Sequence, residues 1–293
     1  MTPLFKGSGT ALVTPFNESG VNLAAFEKLL EFQLENGTDA LIVCGTTGEP
    51  STMTENEKQL LIEFAVKYVD GRVPVIVGAG GNNTAECVQK VKRIRDMGVD
   101  ALLLVTPYYN KATQEGIIRH FDAIDEAANL PYIIYNVPVR TGLNLLPSTV
   151  QKMLDRPNLA GVKEASGDIA HVAEIARLCG ERMPVYSGSD ENTLAILALG
   201  GAGVISVVAN VAPALVKRLC ELFFMGEIKA ALEVQLHLLP LVKALFAETS
   251  PSPVKTAMAM QGRRVGAVRL PLVAMEPGNE KALRSCMERM GLL

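Results

Sequence analysis

The chain has 293 residues, 48% hydrophobic and 20% charged, with a formal net charge of −3. That balance excludes a disordered chain, and the lack of any basic block argues against nucleic acid or an anionic membrane as partner. No apolar run approaches the roughly 20 residues of a membrane span, and the opening MTPLFKGSGT lacks the apolar core of a secretory signal.

In chain order, GTALVTPF (9–16) predicts the first strand. Residues 23–34 predict the first helix, with Phe26, Leu29, Leu30 and Leu34 on one face. DALIVCG (39–45) predicts the second strand, and Thr54 with Glu57 three residues on has the spacing of a capping box. VPVIVGAG (73–80) is the third strand; Thr84 opens a helix that Gly98 closes. Strands follow at DALLLVTP (100–107), PYIIYNVP (131–138), LAGVKEAS (159–166), MPVYSGS (183–189) and AGVISVVAN (202–210). They recur about every 30 residues, the length of a βα unit. Their unbroken apolar character implies burial on both faces, as in a parallel sheet covered by helices.

Eight such repeats predict an α/β fold, a (β/α)8 TIM barrel, with a doubly wound open sheet as the rival. The rival usually shows a Gly-rich turn after its first strand, where this chain has NESG; GAGGNN (78–83) lacks the GxGxxG spacing. After about 212 the pattern is helical: 213–225, 227–246 and two shorter pieces, with SPSPVK (250–255) as the irregular point. The expected organisation is a barrel over 1–225 and a C-terminal helical extension over 226–293 packed on it.

The five cysteines are scattered, with no CxxC pair, so neither a disulfide framework nor a zinc ribbon is expected, and a reducing cytoplasm is the expected compartment. His120, His171 and His237 lie far apart and no HExxH occurs, so no metal site is expected.

In a barrel of this type chemistry gathers at the C-terminal strand ends. Those ends carry Thr46, Thr47 and Glu49; Tyr108, Tyr109 and Asn110; Tyr135, Asn136 and Arg140; Lys163 and Glu164; and SGSD. Lys163 ends an apolar run, so it either pairs with Glu164 or another neighbour, or is a desolvated amine ready to attack a carbonyl. Tyr135 and Lys163 are each the fifth residue of neighbouring predicted strands. Equal depth would set a phenol beside an amine whose pKa burial lowers, and only the neutral amine attacks a carbonyl. Arg140 offers a bidentate fork for a carboxylate. Together these favour a Schiff base between Lys163 and a small oxo acid. GTTGE by itself reads equally as a tight turn, and Tyr108 and Tyr109 by themselves as packing.

GTTGE (45–49), TPYYNK (106–111), YNVPVRTG (135–142), GVKEASG (161–167), SGSD and GVISV occur in order over nearly the whole chain. With them the chain resembles the 4-hydroxy-tetrahydrodipicolinate synthase (dihydrodipicolinate synthase) family of the pyruvate-dependent class I aldolase superfamily. The resemblance implies condensation of pyruvate with L-aspartate 4-semialdehyde, in lysine and diaminopimelate biosynthesis. It implies no cofactor beyond a covalent imine of pyruvate with Lys163. Tyr135 would shuttle protons, with Thr46 linking it to Tyr109, which the adjacent subunit supplies. Thr47 would bind the pyruvate carboxylate, Arg140 the semialdehyde, and Gly188 and Ile205 would line the pyruvate pocket. The implied assembly is a homotetramer, a dimer of dimers.

A regulatory lysine site in the family maps to Ser51, Glu55, Lys58, Asn82, Glu86 and Tyr108. Glu55 and Lys58 stand where feedback-inhibited members carry histidines. A fixed Lys58 cation in a site for a cationic ligand implies weak or absent inhibition. Ser250, in AETSP (247–251), stands where relatives commonly have asparagine. The rival functions are an N-acetylneuraminate lyase or oxo-sugar-acid aldolase, which Arg140 disfavours, and a non-catalytic metabolite-binding barrel, which intact Lys163, Tyr135 and Thr46 disfavour.

Overall fold

The structure, a computed structural model, describes residues 2–293. Its strands are β1 (Gly7–Ala11), β2 (Phe16–Asn17), β3 (Gly20–Val21), β4 (Ala40–Val43), β5 (Val75–Gly78), β6 (Ala101–Val105), β7 (Tyr132–Asn136), β8 (Leu159–Glu164), β9 (Val185–Ser187) and β10 (Gly203–Ser206). All but β2 and β3 close into a parallel barrel in the order β1-β10-β9-β8-β7-β6-β5-β4, while β2 and β3 form an antiparallel hairpin at its mouth end of β1. Closure leaves the barrel no open edge, which rules out the doubly wound sheet.

The helices between strands follow from local chemistry. Helix Glu55–Val69 begins at a capping box in which Thr54 and Glu57 satisfy each other's backbone N–H groups. Helix Thr84–Arg95 stops at an Asp96 cap, and Gly98, at φ +77°, turns the chain just beyond. The predicted C-terminal stop at Gly98 therefore lies past the helix end. Pro74, Pro131 and Pro184 each stand one residue before a strand, where the carbonyl joins the ladder and no N–H is needed: they accept from Leu41, Leu102 and Val162.

Each predicted strand overshoots the observed one at its C-terminal end. The first does so most: the chain leaves the barrel after Ala11, and Phe16 joins the hairpin. Leu12 and Val13 are buried all the same, because Val13 N–H finds Asn210 Oδ1 at 3.2 Å instead of a strand partner.

Apolar side chains fill the barrel's interior, including Ile42, Ile76, Leu103, Ile133, Tyr186 and Ile205. Phe5 plugs this interior by stacking on Tyr186, ring centres 4.5 Å apart, and its carbonyl accepts from the Tyr186 hydroxyl at 3.0 Å. A second layer packs strands against helices. A third joins helix Pro213–Phe224 to the C-terminal helices Ile228–Leu245, Ser252–Met260 and Pro277–Arg289. The irregular SPSPVK thus runs directly into helix Ser252–Met260.

The C-terminal helices are fastened by buried polar bonds as well as apolar packing. Lys255 Nζ lies 2.8 Å from Glu49 Oε1, both side chains buried, and Arg269 N–H donates to Glu49 Oε2 at 2.9 Å. Gln235 Nε2 donates to the Asp190 carbonyl at 3.1 Å. Glu49, a strand-end carboxylate in the sequence, is therefore an anchor for the extension. The five cysteines are buried free thiols.

Candidate active site

Tyr135 and Lys163 are register partners on adjacent parallel strands β7 and β8. Partnered residues of a parallel pair send their side chains to the same face. Tyr135 belongs to the interior cluster, and Lys163 Nζ sits 4.1 Å from the centre of its ring. One step along, the side chains face outward. Asn136 Nδ2 donates to Glu164 Oε2 at 2.9 Å, and His171 Nε2 stands 3.5 Å from the same carboxylate. Strand alternation therefore separates Lys163 from Glu164, and among the described residues Lys163 enters no ion pair. The equal depth expected from counting depends on an irregularity. Tyr132 pairs with Leu159 but Ile133 with Gly161, so Ala160 is an extra residue, and only beyond it does the offset bring Tyr135 to Lys163.

Lys163 opens into a cavity of about 720 Å³ at the C-terminal ends of the strands. Burial lowers the ammonium from 10.5 to about 7, with the Asp190 charge opposing and Arg140 reinforcing. Burial also pushes the Tyr135 phenol up to about 12, Arg140 opposing. The pair at neutral pH is thus an amine that gives up its proton far more readily than a surface lysine, beside a protonated phenol. An amine so poised can add to a carbonyl, and the phenol can give and retrieve a proton.

The supports of Lys163 are specific. A Cβ added to Gly188 would lie 2.7 Å from Ala165 Cβ and 3.0 Å from Lys163 Cε, so only glycine lets the lysine stem pass. Asp190 is buried and accepts from the Ser206 hydroxyl and from the N–H groups of Val207 at 3.0 Å and Val208 at 3.3 Å. Burial raises its carboxyl, and those donors together with Lys163 oppose the rise. The sequence showed Asp190 only as the end of SGSD; its signal was its place at a strand's C-terminal end.

Thr46 and Thr47 lie in the 3-10 turn Thr46–Gly48 directly after β4, and both line the cavity. The Thr14 hydroxyl donates to the Gly48 carbonyl at 2.7 Å and fixes that turn. Arg140, on the short helix Pro138–Thr141, lines it as well. Ile205 packs in the barrel interior with Tyr135 and is not among the residues lining the cavity. Tyr109 is 90% exposed at φ +71° and stays outside the cavity of its own chain.

One wall could not be read from strand ends. Val242, Lys243, Phe246 and Ser250 of the C-terminal extension close the cavity. Ser250 Oγ is buried there without a hydrogen-bond partner.

A second cavity, of about 350 Å³, lies beneath helix Glu55–Val69 and is lined by Ser51, Glu55, Lys58 and Tyr108. Asn82 and Glu86 stand outside it. The Asn82 carbonyl accepts from Asn110 Nδ2 at 3.2 Å, and Glu86 N–H donates to Asn83 Oδ1 at 3.4 Å at the start of its helix. Among the described residues no cluster of three or more His, Cys, Asp or Glu could hold a metal ion.

Comparison with known proteins agrees with this geometry. Residues 4–290 match the Dihydrodipicolinate synthetase family. A 4-hydroxy-tetrahydrodipicolinate synthase of Thermoanaerobacter sp. (strain X514) is 52% identical over 99% of this chain and 98% of its own. One from Clostridium tetani is 50% identical over 99% of each. The crystal structure of dihydrodipicolinate synthase from Thermotoga maritima superposes with a TM-score of 0.97 at 44% identity, covering 99% of this chain and all (100%) of that one. With barrel, lysine and tyrosine in place and the match spanning the chain, this protein belongs to the dihydrodipicolinate synthetase family.

Proposed function

We propose that the chain is a 4-hydroxy-tetrahydrodipicolinate synthase that joins pyruvate to L-aspartate 4-semialdehyde through an imine on Lys163. The neutral amine attacks the keto carbon of pyruvate, and the carbinolamine loses water as Tyr135 delivers a proton to the departing oxygen. The iminium acidifies the pyruvate methyl group, whose proton leaves to give an enamine. The enamine carbon attacks the aldehyde carbon of the semialdehyde. The amino group of that substrate then adds to the imine carbon, expels Lys163 as free amine and closes the ring. No redox step occurs, so no external cofactor is needed.

Thr46 relays protons between Tyr135 and Tyr109 of an adjacent copy, Thr47 holds the pyruvate carboxylate, and Arg140 the carboxylate of the semialdehyde. Gly188 shapes the pyruvate end, and Ile205, off the cavity surface, backs it from the barrel interior. Support for a shared site comes from Tyr109, held at positive φ with its ring in the open, which suits a homotetramer built as a dimer of dimers. No helix among the described residues is long and apolar enough to cross a membrane, and a cytoplasmic enzyme is the reading adopted.

The observation that carries this proposal is the Lys163 amine, 4.1 Å from the Tyr135 ring, lowered to about 7 and in no ion pair among the described residues. Borohydride reduction in the presence of pyruvate tests it. Intact mass should rise by pyruvate less water plus two hydrogens, mapped to Lys163. The reduced protein should lose turnover of pyruvate with the semialdehyde. No adduct, or an adduct elsewhere, overturns the proposal, and cleavage of sialic acid in preference to the condensation would assign the chain to the lyase branch instead.

A further inference from the structure

One step beyond the Tyr135–Lys163 pair, the outer face of the barrel changes character. Ile134 and Val162 are register partners that belong to the apolar layer between strands and helices. The next outward partners, Asn136 and Glu164, are polar, and both are buried. They are also the last residues of β7 and β8. A buried carboxylate is costly unless its oxygens are bonded, and an apolar side chain would fill this place without that cost.

Glu164 divides its two oxygens. Oε2 accepts from Asn136 Nδ2 at 2.9 Å, and Oε1 accepts from the Ser166 N–H at 2.6 Å. The carboxylate also raises the neighbouring His171 imidazole above its usual range, with burial opposing. Asn136 is as fully used. Its Nδ2 donates to Asn144 Oδ1 at 2.8 Å as well, and its Oδ1 accepts from the Leu145 N–H at 3.0 Å. Acceptors on one side and a donor on the other leave its amide one orientation. The carboxylate therefore ties the end of β7 to the end of β8. Through Asn136 it also holds the segment that returns from helix Pro138–Thr141, which carries Arg140.

We infer that Glu164 is a positioning residue: bonded to Asn136, it fixes the depth of Tyr135 against Lys163 from the opposite face of the sheet. Asn136 follows Tyr135 in the chain and Glu164 follows Lys163, so a shift of either outward side chain is passed to the inward one. Glu164 is not among the residues lining the Lys163 cavity, and it acts only through its neighbours. A displacement of about 1 Å at a reacting group costs ~100-fold in rate. The inference rests on the imine reading above.

Glu164→Gln keeps shape and burial but offers one acceptor where two donors point, so Asn136 or Ser166 must face an amide NH2 group. In steady-state kinetics with pyruvate and the semialdehyde, kcat should fall ~10-fold or more, with KM for pyruvate within about threefold of wild type. The pH midpoint of borohydride trapping should stay near about 7, because Lys163 remains buried. Loosening of the structure would instead admit water to the amine and carry that midpoint toward 10.5. Glu164→Gln combined with Asn136→Asp exchanges the two roles, sets a donor against an acceptor again, and should recover most of kcat. A kcat in Glu164→Gln within about threefold of wild type overturns the inference, as does a midpoint displaced toward 10.5. So does an exchange variant, folded or not, that fails to recover turnover, or Asn136→Asp alone turning over as fast as the exchange. Where Glu164→Gln does not fold, the exchange variant decides. Trapping of pyruvate by the wild type tests the imine reading by itself, so the two readings fail separately.

Discussion

Replacing Lys163 with methionine should make the protein more stable while abolishing the imine. Methionine keeps the length of the stem and removes the charge. In the folded chain burial lowers the amine from 10.5 to about 7. Below pH 7 the folded state must therefore carry a buried ammonium that the unfolded chain carries in water. Between pH 7 and 10.5 the unfolded state binds the extra proton, so stability rises with pH across that window. From pH 6 to pH 9 the folded amine goes from mostly charged to almost wholly neutral, while the unfolded one stays charged. Integrating that difference gives roughly 2–3 kcal/mol gained by the wild type relative to Lys163→Met. Urea unfolding at pH 6, 7.5 and 9 measures it. Lys163→Met should be the more stable protein at pH 6, and its advantage should shrink by about that amount at pH 9. Borohydride trapping of pyruvate by the wild type should accelerate through a midpoint near the same pH of about 7. A stability difference independent of pH, or a trapping midpoint near 10.5, would show that Lys163 is solvated like a surface lysine and would refute the reasoning.

Three further outcomes follow from the geometry. Tyr135→Phe removes the phenol but keeps the ring beside Lys163 Nζ; kcat should fall ~100-fold or more, as for loss of a general acid–base group, with thermal stability little changed, and a loss under threefold would remove Tyr135 from proton transfer. Gly188→Ala sets a Cβ 2.7 Å from Ala165 Cβ and 3.0 Å from Lys163 Cε; trapping of pyruvate should slow sharply in a protein that still folds, and wild-type trapping rates would mean that the lysine stem is not confined there. Lys255→Met leaves Glu49 buried with the Arg269 N–H and the Arg269 charge in place of its ion pair; unfolding free energy should drop by about 3 kcal/mol, and Glu49→Leu added to it should restore part of the loss, whereas additive losses in a double-mutant cycle would deny the pairing.

What could be read in advance divides by range along the chain. Thr54 with Glu57, or the apolar face of residues 23–34, are local signals, and the structure keeps both. Lys163 was legible because an ammonium that ends an apolar run is costly unless something uses it, and Tyr135 because a neighbouring strand reached the same depth. That depth, however, depends on the extra residue at Ala160, which no apolar pattern marks. Strand ends overshot because burial, which the pattern reports, outlasts ladder pairing: Val13 is as buried as β1 yet its N–H goes to an asparagine side chain nearly two hundred positions away (|i−j| 197). The wall formed by Lys243 and Ser250 was hidden for the same physical reason. A helix of the extension shows which of its faces is apolar, but which barrel mouth that face covers is decided by contacts such as Gln235 with Asp190 and Lys255 with Glu49. Those contacts join polar residues, whose type alone suggests a solvated surface. The extension is thus part of the cavity because its buried polar side chains find compensating partners on the loops that carry Thr46 and Asp190.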